Sequence, residues 1–142
     1  MLCSRILVAF DGSDLGKKAL EKAIELAKSN PLIEIDVVHV VSFPVIMGEF
    51  VISEENLQES AIQHGKEVLD QAKELLTKIP NTSHTYVMEG HAPTVLLEHA
   101  RVYSCDLIVM GSRGLSGFRE FFLGSVSHNV AQHSPIPVFI VK

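Results

Sequence analysis

Two hydrophobic periods alternate along the 142 residues, one of continuous or two-residue spacing and one of three to four. Ile6 to Phe10 is an unbroken apolar run, the pattern of a central parallel strand covered on both faces. Asp11-Gly12-Ser13-Asp14 breaks it, and Ser13 or Asp14 can cap a helix whose inward face is Gly16, Ala19, Leu20, Ala23, Ile24, Leu26 and Ala27. That helix is predicted to end near Ser29-Asn30-Pro31, and Ile33 to Val41 reads as a second strand. The apolar stretch SFPVIMGEFVI follows, too long for a plain connection, and reads equally as a cover for a ligand or partner and as a surface excursion. Ser53-Glu54-Glu55 starts a helix with Leu57, Ala61, Val68, Ala72, Leu75 and Ile79 as its stripe, weakened at His64 and Gly65. It runs to Pro80, roughly 26 residues and ~39 Å. His84 to Glu89 alternates as an edge strand that Gly90 ends. Pro93 suits a first helical turn, with Leu96, Ala100 and Tyr103 facing inward. Leu107 to Met110 and Val138 to Val141 read as the last two strands, separated by a helix that Ser125 opens and Pro135 stops.

Strands alternating with helices predict an α/β sandwich with a parallel sheet, because parallel neighbours need right-handed crossovers. Ligands of such sheets bind at the carboxyl ends of the strands, where the strand order reverses. No repeat, low-complexity tract or linker marks a second domain, so residues 1–142 are expected to form one domain with a sizeable core.

Composition narrows the partners. A net charge of -5 argues against nucleic acid or an anionic membrane, both of which are held by basic surface. No apolar run approaches the ~20 residues of a membrane span, and the N-terminal stretch is too short for a signal peptide, so a cytoplasmic protein is expected. Cys3 and Cys105 form no C-x-x-C pair and read as structural thiols; in a reducing compartment the sequon-like Asn81-Thr82-Ser83 carries no meaning. The histidines at 39, 64, 84, 91, 99, 128 and 133 show no zinc-ligand spacing, and most read as surface residues.

The candidate chemistry lies between residues 107 and 134. An apolar strand ends in Gly111; Gly114, Gly117 and Gly124 follow, and Ser125 opens a helix. The first amides of a helix lack intrahelical partners and sit at its positive end, so a phosphate there collects hydrogen bonds and favourable electrostatics together. Gly111 and Gly114 would cup one part of an anion, while Gly124 and the amides of Ser125, Val126 and Ser127 meet another; Arg113 adds charge, and the serine hydroxyls can bond phosphate or help hold a metal. Glu120 within this loop would cost affinity unless it points away. Neither G-x-x-x-x-G-K-[ST] nor G-x-G-x-x-G occurs in the chain. Asp11, just past the first strand, can accept from a nucleoside, bind a divalent cation or simply shape the turn.

Gly111, Gly114, Gly124 and Ser125 fit the spacing G-x2-G-x9-G-[ST], and with ILVAFDGSD, VMEGHAP and PIPVFIVK the chain closely resembles the ATP-binding branch of the universal stress protein family over essentially its whole length. The resemblance implies strand order 3-2-1-4-5 with about four helices in three layers, and a dimer paired through the C-terminal strand. It implies Ala9, Phe10 and Asp11 along one side of the nucleoside, the Val40 and Val41 backbone at the adenine edge, and Met110 and Gly111 near base and ribose. Arg113, Gly114, Gly124, Ser125, Val126 and Ser127 would surround the phosphates of ATP, with Mg²⁺ or Mn²⁺. His91 and Ala92 depart from the acidic residue and proline of many relatives. The function so implied is a dimeric, nucleotide-binding regulatory protein that signals to client proteins. The alternative is a slow ATPase or phosphotransferase, for which the sequence offers no lysine or general base beside the loop and no assigned catalytic residue.

Overall fold

The computed structural model describes residues 3–42, 54–113 and 123–142. Five strands, β1 (Arg5–Ala9), β2 (Glu34–Val41), β3 (Ser83–Glu89), β4 (Leu107–Gly111) and β5 (Val138–Val141), form one parallel sheet in the order β3-β2-β1-β4-β5. Four helices, α1 (Asp14–Ala27), α2 (Glu54–Leu76), α3 (Ala92–Val102) and α4 (Ser125–His133), connect them. β1 lies in the middle, with Ile6, Leu7 and Val8 fully buried. Its continuous apolar run is therefore read correctly as a strand covered on both faces.

The pleat divides the core. Ile6, Val8, Ile35, Val37 and Val109 pack with Ala19, Leu20, Ala23, Val68 and Ala72 under α1 and α2. Leu7, Val38, Ile108 and Met110 pack with Leu96, Ala100 and Val130 under α3 and α4. Ser13 caps α1 by accepting from the Gly16 amide, and Gly12 turns the chain at φ +83. Leu26 leaves the predicted face and is 36% exposed; residues 20, 23, 24 and 27 already fill the inward stripe. α2 ends at Leu76, short of Pro80, and adds Leu69 and Leu76 to its buried side. Gly65 falls where α2 packs closely on the sheet: a Cβ there would lie 3.0 Å from both His39 Cδ2 and Val87 Cγ1. The glycine that costs helix propensity is what lets the helix pack.

Two further differences share one cause. Tyr103 is exposed, and His99 takes the inward place on α3. At the amino end of the sheet Asp36 is fully buried, and burial of a charge requires partners. Arg5 Nε and Nη2 reach its oxygens at 3.1 and 3.2 Å, and His99 Nε2 donates to it at 2.8 Å. Tyr103 stacks near the His99 ring and lies under the Arg5 guanidinium, with Tyr86 edge-on to His99. Asn81 also has a purpose, since its amide nitrogen lies within donating reach of the Ala27, Asn30 and Ile33 carbonyls and ties the end of α1 to the start of β2. Among the described residues, no helix is long and apolar enough to cross a membrane.

Burial alone would raise the Asp36 carboxyl, but the hydrogen bonds from His99 and Arg5 and the guanidinium charge outweigh it and hold the group below its ordinary value. A folded-state pKa below the unfolded one makes this stabilisation complete above ~3.9 and removes it as pH falls further. Asp36→Ala should therefore cost about 3 kcal/mol at neutral pH, because it strands the buried His99 donor and the partly buried Arg5 guanidinium. Denaturant titrations at pH 7 and pH 3 should show the gap between parent and variant shrinking at the lower pH.

Candidate functional site

β1 stops at Ala9 while its neighbour β2 continues to Val41. The last bond between them runs from the Phe10 amide to the Val38 carbonyl, 2.9 Å. In this ladder Val38 and Val40 turn their amides and carbonyls toward β1, and residues 39 and 41 turn theirs toward β3. Val40 therefore presents its backbone to the space where β1 has ended. The α3 and α4 face of that space is a cleft of about 210 Å³, bounded by the ends of β1, β2 and β4 and the first turns of α1, α3 and α4.

The lining brings together residues far apart in sequence. Ala9, Phe10 and Asp11 follow from β1, Val40 from β2, Met110, Gly111 and Arg113 from β4, and Gly124, Ser125, Val126 and Ser127 from α4. All were singled out by the sequence. Val41 is not in the cleft: its carbonyl accepts from the Gly90 amide at 3.0 Å, on the β3 side. Gly114, Gly117 and Glu120 lie outside the described residues, as does the stretch from 43 to 53. Gly16, Val38, Ala92 and Leu96 complete the wall and were missed as site residues. Val38 was within reach of sequence reasoning, since it stands two positions before Val40 on one face of a strand.

The cleft has an apolar end and a polar end. Val38, Val40, Leu96 and Ala92 line the β2 and α3 side, and Arg113, Ser125 and Ser127 the β4 and α4 side, with Asp11 after β1. Two helix starts meet it in different states. The α1 start is closed on itself, because Ser13 Oγ caps the Gly16 amide and donates in turn to Asp11 Oδ1 at 2.5 Å, while the Ser13 amide donates to the same oxygen at 2.9 Å. Asp11 is thereby fixed as the turn residue and still faces the cleft. The α4 start has Gly124 at its cap position and no side-chain cap, so its first amides face the cleft without one.

Ser112 holds the α4 start in place. Its carbonyl accepts from the Gly124 amide at 2.7 Å and from Ser127 Oγ at 2.8 Å, and its own amide donates to the Val141 carbonyl at 2.8 Å. Ser127 is 2% exposed and its hydroxyl also lies 3.0 Å from the Gly124 carbonyl, so its single proton is committed to joining the two ends of the loop. Ser125, by contrast, is exposed. A Cβ on Gly124 would lie 3.3 Å from both the Ser112 carbonyl oxygen and Arg113 Cα, tight against this junction.

A second cluster offers ligand atoms but not a metal site. Atoms of Asp36, His99 and Cys105 lie within 4.8 Å of one another, yet both Asp36 oxygens are taken and a guanidinium stands beside them. Burial, then the Asp36 charge, pushes the Cys105 thiol up to about 12, and burial with Asp106 pushes Cys3 up to about 11, so both stay protonated and inert at neutral pH.

A doubly wound parallel α/β protein with a cleft at its topological switch point is thus defined. Residues 3–142 match the universal stress protein family, and the chain belongs to it. It is similar to universal stress protein YxiE of Bacillus subtilis, 36% identical, with 98% of this chain and 99% of that protein covered. Among solved structures it is similar to a universal stress protein in complex with cAMP, TM-score 0.74 and 25% identity, covering 100% and 99% of the two chains. A family member from Arabidopsis thaliana with AMP bound shares the fold, TM-score 0.68 and 21% identity over 98% and 91%.

The two serines should separate by experiment. Ser127→Ala removes a buried donor from a shared carbonyl and is expected to cost about 1 kcal/mol in denaturant titration. Ser125→Ala, at an exposed hydroxyl, should stay within about 0.5 kcal/mol of the parent.

Proposed function

We propose that the cleft binds an adenine nucleotide, ATP in the cell, and that the protein is a nucleotide-responsive regulator of the stress response rather than a fast enzyme. The observation that carries this reading is the pairing of two unfilled backbone edges across one cleft. The α4 amides, uncapped and backed by Arg113 and Ser125, match the acceptor-rich phosphates. The Val40 amide and carbonyl, between apolar side chains, match a flat base with one acceptor and one donor on its edge. AMP and cAMP in two family structures favour this ligand class.

The donor set also fits a hard divalent cation. Mg²⁺ or Mn²⁺ would sit mainly on phosphate oxygens, with the Ser125 hydroxyl and Asp11 carboxylate as the protein oxygens within the cleft. It would neutralise phosphate charge. Ser127 is a poorer metal ligand than its position in sequence suggests, because its hydroxyl serves the loop junction.

We further propose a cytoplasmic homodimer that signals to client proteins. β5 is a sheet edge, and Phe139 on it is 49% exposed, so an apolar strand offers an open ladder to a second copy. Sedimentation should give a dimer at micromolar concentration, and Phe139→Asp should shift it toward monomer. A parent that remains monomeric would refute the assembly.

Binding itself is tested by calorimetric titration with ATP and Mg²⁺. The parent should bind. Gly124→Val should lose about tenfold or more in affinity while keeping its circular dichroism, because the side chain presses on the Ser112 and Arg113 backbone and covers the α4 amides. Ser125→Ala should lose less, about 0.5 to 1.5 kcal/mol. A folded Gly124→Val with parental affinity would show that the glycine only turns the chain.

A further inference from the structure

Behind the apolar end of the cleft, on the opposite face of the sheet, stands a buried histidine that the function above does not use. His39 belongs to β2 and is 8% exposed. Its ring lies on the α2 side beside Gly65, where an added Cβ would meet both the ring and Val87, the residue opposite His39 in the ladder. Its Nδ1 is 2.9 Å from the carbonyl oxygen of Phe10. A carbonyl has no proton to give, so Nδ1 carries the hydrogen and donates.

That carbonyl is the next acceptor in the sheet. Because Phe10 donates to Val38, a continued parallel ladder would send the Val40 amide to the Phe10 oxygen. The bond present there comes from the imidazole instead. An oxygen has two lone pairs, so occupancy by the ring alone need not exclude Val40, yet the β1–β2 ladder does not continue past the Phe10 to Val38 bond. Gly65 permits the ring its place, since a Cβ at that position would lie 3.0 Å from His39 Cδ2.

We propose that His39 is a positioning residue for base recognition: by holding the Phe10 carbonyl it stops β1 from zipping onto β2 and leaves the Val40 amide free to donate to a ring nitrogen of the bound nucleobase. This rests on the nucleotide reading of the cleft. It assigns to a side chain that never touches the ligand the choice between a paired sheet and a base-binding edge.

The test uses hydrogen exchange without ligand and affinity with it. In the parent the Val40 amide should exchange rapidly for a residue this deep in a sheet. In His39→Leu it should gain protection by bonding Phe10. His39→Asn, whose side-chain nitrogen stands near the place of Nδ1, should restore rapid exchange. ATP affinity should fall roughly three- to tenfold in His39→Leu, the worth of about one hydrogen bond, and return in His39→Asn. Affinity for inorganic tripolyphosphate, which has no base, should not change in either variant.

Equal losses for ATP and tripolyphosphate would make His39 merely structural and overturn the proposal. So would Val40 exchange that is the same in parent and His39→Leu. Should His39→Leu not fold, His39→Gln, whose amide reaches the ε rather than the δ position, takes its place with the same expected results. If the parent binds no adenine nucleotide at all, the proposed function fails, and the exchange rates alone still decide what His39 does.

Discussion

A backbone amide or carbonyl taken from water needs a partner, and among the described residues the end of β1 leaves a gap where that demand is not met inside the sheet. The gap exists because β1, the central strand, ends at Ala9 before β2 does. On one side it leaves the Val40 backbone unpaired toward β1; on the other, β4 leads through Gly111 and Ser112 to an α4 start that lacks a side-chain cap. The remaining features of the cleft follow from keeping these two edges open and fixed. Gly12 turns the chain out of the way, Ser13 satisfies α1 so that it does not compete, and the Ser112 carbonyl ties α4 to β4.

A cluster of buried polar contacts lies at the other end of the sheet. Arg5, Asp36 and His99 form a buried ionic and aromatic cluster at the amino ends of the strands, and Asn81 joins α1 to β2 there. Charge is satisfied internally at the amino ends of the strands, and backbone donors are left without a side-chain cap at the cleft. Among the described residues His99 Nδ1 has no hydrogen-bond partner, and Nε2 is the ring nitrogen that serves Asp36. A cation would have to displace Arg5 to use that carboxylate.

Much of this was legible from residue order. The continuous apolar runs gave β1 and β4, turn residues and prolines bounded the helices, and the glycine spacing before Ser125 located the α4 start. Strand order came from family resemblance and not from periodicity, and the sheet has it. What stayed hidden is chemistry that needs two distant segments. Asn81 looked like an idle sequon, His99 and His39 stood among seven histidines read mostly as surface residues, and the Ser127 hydroxyl looked available to phosphate or metal, because each one's partner lies well along the chain or across the sheet. Gly65 looked like a flaw in α2 for the same reason. The resemblance put the Val40 and Val41 backbone together at the base edge, and the ladder turns Val40 toward the cleft and Val41 toward β3.

The most direct measurement of whether these open edges are the ligand's seat is residue-resolved amide NMR during titration with ATP and Mg²⁺. Saturable shifts are expected at Val40, Gly111 and the amides of Ser125, Val126 and Ser127, with the strand interiors of β3 and β5 unmoved. Saturable shifts confined to other surfaces, or none at any concentration that fills a nucleotide site, would contradict that expectation.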